Sequence, residues 1–396
     1  MERNYILFDT PVRDLLYPFT HTRPIAACRV GILTIQEKWE HWLGTGVSHF
    51  TVPHLQEKFP LHRAADENMV NILLSGHILP DAGLIAAIAS LEANEELYQD
   101  SHLLAKAIRG KDIHLLSPGE RKNYPGEVLG IFKPWDIFAL NDKAIRADFK
   151  LLTEGRSSAP ISSTNQLINT ADIFLEPGAS VEYSVLNATT GPIYIGKNAQ
   201  VMEGCLIRGA LAMGEGSVLK MGTKIYGATT LGPYCTGGGE IKNSVLFGYS
   251  NKGHDGYLGD AVLGEWCNLG ANTTCSNLKN NVSPVRVWLE ARGEAAVAGQ
   301  KCGVLMGDFS RCGINTMLNT GTVIGVSCNI FGAHFPPVFT PSFSWGNLGR
   351  AGEYRLEEAL RDAGAWMGLK GRQLEEADRK ILEAVHEIIS EKDLKT

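Results

Sequence analysis

The stretch from Ile195 to Gly232 reads IGKNAQVMEGCLIRGALAMGEGSVLKMGTKIYGATTLG. Every sixth residue in it is apolar: Ile195, Val201, Ile207, Met213, Leu219, Ile225 and Leu231. The same spacing returns farther on, in Met306, Cys312, Leu318, Ile324 and Ile330. A short, fixed period of this kind predicts a solenoid, in which successive coils stack and bury a continuous core.

Glycine indicates the length of one coil. It follows the apolar residue in Ile195-Gly196, Met213-Gly214, Leu231-Gly232, Met306-Gly307 and Ile324-Gly325, and within each run these pairs lie 18 residues apart. Eighteen is three times six, so we expect coils with three flat faces and a glycine at one corner, where positive φ or close backbone approach is needed. The sequence therefore predicts a left-handed parallel β-helix, with a glycine-rich β-sandwich as the alternative.

The flanking segments have a different texture. Residues 1–160 combine strand-like runs (Tyr5–Phe8, Val128–Phe132) with helical ones (Leu84–Leu91, Ile137–Leu152), which is typical of an α/β domain. Residues 336–396 read as a linker followed by two amphipathic helices. We therefore expect an α/β plus all-β chain with domains at 1–160, 165–335 and 336–396.

Composition narrows the choice of partner and compartment. The chain has 396 residues, a net charge of -6 and 44% apolar residues. This charge provides no basic surface for nucleic acid or an acidic membrane, so a small-molecule substrate fits better. No run reaches the roughly 18 apolar residues of a spanning helix, and the eight cysteines contain no C-x-x-C pair. We expect a cytoplasmic protein whose cysteines are reduced core thiols.

One polar motif interrupts the repeat. Gly253-His254 is followed by Tyr257-Leu258-Gly259-Asp260, then by Asn268-Leu269-Gly270-Ala271 and Asn277. These residues resemble the acetyltransferase half of the bifunctional N-acetylglucosamine-1-phosphate uridyltransferase/glucosamine-1-phosphate acetyltransferase family, whose pattern is G-H-x-x-Y-x-G-D followed by N-x-G-A. The likeness covers roughly residues 165–335.

The resemblance implies a role for each residue. His254 corresponds to the general base, and Ala271 to the residue beside the thioester of the co-substrate acetyl-coenzyme A. The residues that correspond to the sugar-phosphate site are Tyr257, Asn268 and Asn277, joined by basic residues among Lys224, Lys242 and Lys252. It also implies a homotrimer. The chemistry is consistent, because an amine that attacks a thioester must lose a proton and imidazole titrates near neutrality.

These residues also have simpler interpretations. Most histidines in a protein lie on its surface or in its core without a catalytic role. Asn268 and Asn277 are also the residue type that stacks along solenoid corners, and Lys242 and Lys252 taken singly read as solvated surface charges.

The first domain departs from the family pattern. Where the family has a glycine-rich phosphate loop, this chain has Leu7 to Leu15, which contains no glycine and includes Pro11, a residue without an N–H donor. Arg13 remains as a possible remnant of the nucleotide site. Gly76-His77 stands where the family has Gly-Asp, and neutral imidazole is a poor ligand for Mg²⁺. We predict a shortened nucleotidyltransferase-like fold, and the departures argue against nucleotidyl transfer, Mg²⁺ binding and any other metal site.

Three hypotheses follow from the sequence. The first is transfer of an acyl group from coenzyme A to an amino-sugar 1-phosphate. The second is a sugar-1-phosphate nucleotidyltransferase with an altered nucleotide loop. The third is a protein that binds a nucleotide sugar without turnover.

Overall fold

The computed structural model describes residues 3–64, 66, 68–110, 113, 118–346 and 352–393. The contacts between its residues form two compact units. Unit 1 comprises Met1–Leu16, Thr22–Cys28 and Leu33–Lys133, and unit 2 comprises Tyr17–His21, Arg29–Ile32 and Pro134–Thr396. The three domain boundaries drawn from the sequence pattern stay a prediction.

Unit 1 contains a six-stranded mixed sheet. Its strands, in order across the sheet, are Ser48–Phe50, Arg3–Phe8, Val70–Ser75, His102–Arg109, Glu95–Gln99 and Glu120–Asn123. The first three are parallel and therefore end at the same edge. Asp9, Thr51 and Gly76 directly follow these three strand ends.

Short elements complete unit 1. Its helices are Val12–Leu15, Ile35–Leu43 and Ala82–Ala89, with 3-10 turns at Ile25–Ala27 and Pro53–Leu55. Strands Ile78–Leu79 and Leu129–Gly130 form a two-residue antiparallel ladder. The strand predicted at 128–132 is therefore confined to this ladder, because the residues on either side make no strand pairing.

Unit 2 is a parallel β-helix with three sheets, here called faces 1, 2 and 3 in the order in which the chain enters them. Face 1 contains Ile173–Leu175, Ile193–Ile195, Leu211–Met213, Thr229–Leu231, Val245–Gly248, Val262–Glu265, Leu305–Met306, Val323–Ile324 and Phe339–Thr340. Face 2 contains Ser180–Val181, Gln200–Val201, Val218–Leu219, Thr236–Gly237, Asn251–Lys252, Asn268–Leu269, Arg311–Cys312, Asn329–Ile330, Ser344–Trp345 and the antiparallel Gly352–Glu353. Face 3 contains Gln166–Ile168, Val185–Asn187, Leu206–Arg208, Lys224–Tyr226, Glu240–Lys242 and Tyr257–Gly259, followed by the pair Thr274–Cys275 and Met317–Leu318.

The interior of the β-helix is the predicted apolar repeat. Every residue of both hexad runs belongs to one buried cluster. All eight cysteines are buried and free of disulfide bonds, as expected of core thiols. Between Asn277 and Gly303 the chain leaves the coil and forms an antiparallel hairpin, Val285–Leu289 with Glu294–Gly299. The fold class expected from the sequence is thus confirmed.

The glycines at the corner between faces 1 and 2 serve close approach. A Cβ on Gly232 would lie 1.7 Å from the Phe247 carbonyl oxygen, in the next coil. Positive φ occurs two residues after these glycines instead, for example at Asn198 (φ 55°) and Tyr234 (φ 56°). Of the two reasons for glycine considered from the sequence, backbone contact between coils is the one that applies at this corner.

In four successive coils this positive-φ corner position carries an aromatic ring, and these rings are here called the aromatic stack: Tyr234, Tyr249, Trp266 and Phe309. Their centroids are 5.2, 4.1 and 6.5 Å apart in that order, with planes within 12° of parallel. A bulky residue rarely adopts positive φ. Stacking across successive coils offsets part of that cost.

Among the described residues of unit 2 there are four α-helices: Asp136–Ala139, Asn141–Thr153, Leu356–Gly368 and Glu376–Asp393. The helix predicted over 137–152 corresponds to the first two. The two C-terminal helices are as predicted, and their segment packs along face 2. The Arg311 guanidinium lies 5.3 Å from the Trp366 ring, and Lys370 Nζ donates to Asn251 Oδ1 at 2.9 Å.

Candidate functional site

His254 lies at the corner between faces 2 and 3. It follows the face 2 strand Asn251–Lys252 and precedes the face 3 strand Tyr257–Gly259. Its side chain is exposed, and its ring makes no hydrogen bond within the described part of the chain. Ala271 occupies the same corner one coil later, so the structure places these two sequence-predicted residues on one edge of the β-helix.

Tyr257, Asn277 and Asp260 form a hydrogen-bonded cluster beside this corner. Asn277 Nδ2 donates to the Tyr257 hydroxyl at 3.0 Å and also to the Asp260 carboxylate. Asn243 Nδ2 donates to the second Asp260 oxygen at 2.7 Å. Asp260 is only 5% exposed and has a φ of 47°, so its backbone turns the carboxylate toward both amides. Asp260 and Asn243 received no role from the sequence, although Asp260 lies within the quoted motif.

The Tyr257 ring needs the glycine two residues later. A Cβ on Gly259 would lie 2.2 Å from the Tyr257 hydroxyl oxygen, so the ring lies back along its own strand over a residue without a side chain. Burial raises the pKa of Tyr257, so the hydroxyl stays protonated at neutral pH.

Of the three basic residues considered for the phosphate, Lys224 and Lys242 lie on the outer surface of face 3. Lys224, Glu240 and Tyr257 are aligned on successive strands, and Lys242 is aligned with Tyr226 and Gly259 in the adjacent column. Since neighbouring strands are about 4.8 Å apart, the Lys224 backbone is roughly 10 Å from that of Tyr257. The structure thus places both lysines on the Tyr257 surface.

The outer surface of face 3 also has an open groove of about 450 Å³, which Lys224 helps to line. Its polar lining includes Asn187, Arg208, Lys224, Tyr226 and Glu240. The Tyr226 hydroxyl donates to Glu240 Oε1 at 2.5 Å, and this hydrogen bond raises the pKa of Tyr226 to about 12. Arg208, Tyr226 and Glu240 were not predicted. Side chains alternate between the interior and the surface along each strand, and applying this rule to the strands next to the motif would have identified them.

Asn268 is not brought to this cluster within one chain. It lies on face 2, aligned with Asn251 on one side and Arg311 on the other. Both neighbours contact the C-terminal segment, through Lys370 and Trp366. Asn268 and Tyr257 therefore belong to different faces of the same β-helix.

Lys252 is buried, so its interpretation as a solvated surface charge is wrong. Its side chain is only 1% exposed and lies inside the coil, where the hexad pattern otherwise places apolar residues. Burial lowers the pKa of Lys252 to about 8.

Unit 1 has a second polar cluster, at the edge where its three parallel strands end. Asp9 accepts hydrogen bonds from the Ile25 N–H at 2.8 Å and the Thr51 hydroxyl at 2.5 Å, and pairs with Arg13 Nε at 3.2 Å. Arg13, the predicted nucleotide remnant, is 4% exposed. Burial raises the pKa of Asp9 despite these partners.

His77 lies at the same edge of unit 1. Its Nδ1 is 3.2 Å from the Thr10 hydroxyl, and its Nε2 has no hydrogen-bond partner among the described residues. The ring is 2% exposed, and burial lowers its pKa to about 3. His77 is thus a neutral imidazole at any physiological pH.

This edge does not suit Mg²⁺. Both oxygens of Asp9 are already engaged, one with an N–H and the other with a hydroxyl and a guanidinium. Among the residues that the structure describes, no group of three histidine, cysteine, aspartate or glutamate side chains is arranged to hold a metal ion.

Comparison with known proteins bears on both units. Residues 5–157 match the sequence model of a family described as sugar nucleotidyl transferase. Among curated proteins, the chain is similar to the bifunctional protein GlmU of Methanocaldococcus jannaschii, with 35% identity over 89 residues, 22% of this chain and 21% of that protein. The match thus spans about a fifth of that relative's length.

A longer match extends over more of the chain. The bifunctional sugar-1-phosphate nucleotidylyltransferase/acetyltransferase of Sulfurisphaera tokodaii is 25% identical over 282 residues, 67% of this chain and 62% of that protein. A solved UDP-N-acetylglucosamine acyltransferase from Campylobacter jejuni aligns with a TM-score of 0.29 and 15% identity, over 57% of this chain and 95% of that one.

The resemblance found in the sequence is therefore confirmed: residues 5–157 match the sugar nucleotidyl transferase family, and the chain is similar to bifunctional nucleotidyltransferase/acetyltransferase proteins. Among the described residues, no helix is both long and apolar enough to cross a membrane.

Proposed function

We propose that unit 2 transfers an acyl group, acetyl in the simplest case, from coenzyme A to the amine of an amino-sugar 1-phosphate such as glucosamine-1-phosphate. The observation that carries this proposal is the hydrogen bond between Asn277 and Tyr257, 20 residues apart, on the surface that also carries Lys224 and Lys242. It joins the separate parts of the motif into one polar surface beside His254. The similarity to bifunctional acetyltransferases supports the same conclusion.

Each group has a defined part in the proposed reaction. The imidazole of His254 accepts a proton from the substrate amine, whose nitrogen forms a bond with the thioester carbonyl carbon. The carbon–sulfur bond then breaks, and the thiolate of coenzyme A leaves and takes up a proton. The Tyr257 hydroxyl and Asn277 amide hold the sugar, while Lys224 and Lys242 offset the phosphate charge.

A complete site calls for a second copy of the chain. Asn268 and Tyr257 lie on different faces, so one substrate touches both types of residue only where the faces of two copies meet. A homotrimer with sites between its subunits supplies this arrangement by symmetry. We therefore include trimer formation, and a cytoplasmic location, in the proposal.

The test is thiol release from acetyl-coenzyme A in the presence of glucosamine-1-phosphate. We expect turnover by the wild-type chain and a loss of roughly 10²- to 10⁴-fold in His254→Ala, which is the usual contribution of a general base. His334→Ala removes another exposed histidine of unit 2 and serves as the control. Absence of release, or equal rates in the wild type and His254→Ala, contradicts the proposal.

Nucleotidyl transfer by unit 1 is the second candidate. The match of residues 5–157 to sugar nucleotidyl transferases favours it, whereas the engaged carboxylate of Asp9 and the lack of a phosphate loop weigh against it. Pyrophosphate release from a nucleoside triphosphate and a sugar 1-phosphate, lost in Arg13→Ala, would establish it. Ligand-induced thermal stabilisation without any turnover would instead indicate a binding protein.

A further inference from the structure

The interior of the β-helix contains one lysine in the middle of its apolar column on face 2. Lys252 is aligned with Gly237 on the preceding strand, and Gly237 with Leu219 before it. The following strand contributes Leu269 to the same cluster. An ammonium group placed among such residues carries a large desolvation penalty unless polar atoms surround it.

The Lys252 ammonium group reaches two carbonyl oxygens at the corner between faces 2 and 3. Its Nζ donates to Gly238 O at 3.1 Å and to His254 O at 2.5 Å. These carbonyls belong to successive coils, so one side chain ties two stacked corners together. No carboxylate of the described residues forms a salt bridge with it, and burial accordingly lowers its pKa.

The two corners approach each other closely because they are built from glycine. A Cβ on Gly238 would lie 2.6 Å from the Gly253 carbonyl, and a Cβ on Gly239 would lie 2.7 Å from the His254 carbonyl oxygen. This stretch of backbone thus lacks side chains that would restrict it. The His254 ring itself has no hydrogen-bond partner among the described residues, so its orientation depends on the backbone that carries it.

We infer that Lys252 is a positioning residue, which fixes the backbone of the His254 corner from inside the coil and so directs the imidazole toward the substrate amine. The inference rests on the proposed function for its catalytic part. A base in a hydrolase or transferase is commonly oriented by a hydrogen bond to its own ring. Here the orienting group, the Lys252 ammonium, donates to the main-chain carbonyl of His254 instead of to its ring.

The test compares Lys252→Met with Lys370→Met in the full-length chain. Lys370 is a partly buried lysine of unit 2. Its Nζ also donates to a corner carbonyl, Tyr234 O at 2.5 Å, but this carbonyl lies at the corner between faces 1 and 2. For Lys252→Met we expect kcat to fall about 10- to 100-fold with KM for the sugar phosphate within about threefold, because misplacing a catalytic group by about 1 Å has an effect of this order. For Lys370→Met we expect kcat close to that of the wild type.

Amide hydrogen exchange gives a readout that does not depend on activity. We expect exchange at residues 253–256 to accelerate in Lys252→Met and to stay unchanged in Lys370→Met. The variant should fold, because methionine has a similar length and removes the desolvation penalty of the buried ammonium group. Lys252→Gln provides a second variant with the same expectation.

The outcomes separate the two proposals. Unchanged exchange at 253–256 in both Lys252 variants overturns the positioning role, whether or not the wild-type chain turns over. Equal losses of kcat in Lys252→Met and Lys370→Met also overturn it, because they would reflect general weakening of the β-helix. An inactive wild type with accelerated exchange in the Lys252 variants refutes the acyl transfer proposal alone and leaves the corner assignment standing.

Discussion

The strand ends of unit 1 and the corner of the β-helix in unit 2 both gather polar side chains, but they use them differently. At the sheet edge of unit 1, the side chains of Asp9 and Arg13 are buried and form an ion pair. At the β-helix corner, His254 is exposed and unpartnered among the described residues, while its backbone is tightly held. In unit 1 the polar side chains bond to other groups of the same unit, whereas at the β-helix corner the imidazole of His254 stays available to a ligand.

Reactive groups of this chain are therefore expected where a polar side chain has no internal partner. A charged group engaged with its neighbours contributes to folding, and a group with free hydrogen-bonding capacity on a rigid backbone is available for catalysis. On this comparison, substitutions in unit 1 should change stability and substitutions at the corner should change turnover. The following predictions test that separation.

The largest effect is expected at Gly256, two residues after His254. Its φ is 113°, and a Cβ there would lie 2.1 Å from the Thr273 carbonyl oxygen in the next coil, so Gly256→Ala strains the corner in two ways. We expect a loss of about 3–4 kcal/mol in the free energy of unfolding, together with loss of acyl transfer. Denaturant titration and thiol release measure the two effects.

Gly253→Ala is the matched control for this prediction. Its Cβ would meet no atom nearer than Thr236 Cγ2 at 3.3 Å, so a small shift suffices. Equal stability of the two alanine variants would mean that the corner is not rigid, and the comparison between the units would fail.

The next effect concerns the buried ion pair of unit 1. Asp9→Asn leaves Arg13 without its carboxylate partner, and removal of one member of a buried pair costs about 3 kcal/mol. We expect unit 1 to unfold at lower denaturant concentration, with kcat for acyl transfer unchanged. Asp142→Asn, which breaks an exposed pair with Arg146, should cost less than about 1 kcal/mol. A large fall in acyl transfer in Asp9→Asn would show that the units are not separable in function.

A smaller effect is expected on substrate binding at face 3. Tyr257→Phe removes the hydroxyl that accepts from Asn277, and a lost hydrogen bond of this kind is worth about 1–1.5 kcal/mol. KM for the sugar phosphate should rise about tenfold, with little change in stability. Tyr183→Phe, at an exposed corner position of the same β-helix, should leave KM unaltered. A normal KM in Tyr257→Phe would remove this residue from the proposed site.

The smallest effect is a pH dependence in unit 1. The folded state keeps His77 neutral down to about pH 3, while the unfolded chain titrates near the ordinary pKa of 6.5. Below pH 6.5 the unfolded state therefore binds more protons, so the stability contributed by neutral His77 is complete above that pH and is lost progressively as the pH falls toward 3. Between pH 6.5 and 5.5 the expected loss is about 1 kcal/mol.

His77→Gln should flatten this part of the stability curve, as measured by denaturant titration at each pH. His49, also buried in unit 1 with its pKa lowered to about 4, leaves a remaining slope of the same sign. His41→Gln changes an exposed histidine and should preserve the full dependence. A slope that is identical in His77→Gln and wild type would mean that folding does not lower the pKa of His77.

The sequence predicts the β-helix well because its repeat is a direct record of packing. Each apolar residue of the two hexad runs points into the core, since a flat three-sided coil leaves one inward position per face. The prediction fails where the coil length changes. Leu231 pairs with Leu246, 15 residues on, whereas the preceding pair Met213 and Leu231 is 18 apart. This shortened coil shifts the frame and hides the fact that Lys252 occupies an inward position.

The strands and helices of unit 1 are harder to predict from the sequence, for physical reasons. The strand Val70–Ser75 is buried at all six positions, so it lacks the alternation that marks a half-exposed strand. The helix Ile35–Leu43 did carry a signal, because Thr34 and Glu37 form the reciprocal hydrogen bonds of a capping box. In the candidate site, the motif identified His254 and Tyr257, but which face Asn268 occupies depends on how the coils fold and cannot be read from spacing within the motif alone.

The aromatic stack has a consequence for how the coils assemble. A six-residue period by itself is compatible with a register shift of one face, because the inward position of every face is apolar. Tyr234, Tyr249, Trp266 and Phe309 recur at only one of the three edges, so a slipped segment would separate rings that contribute about 0.5–1.5 kcal/mol per contact. The stacked rings thus favour the native register of the chain in the coils around His254.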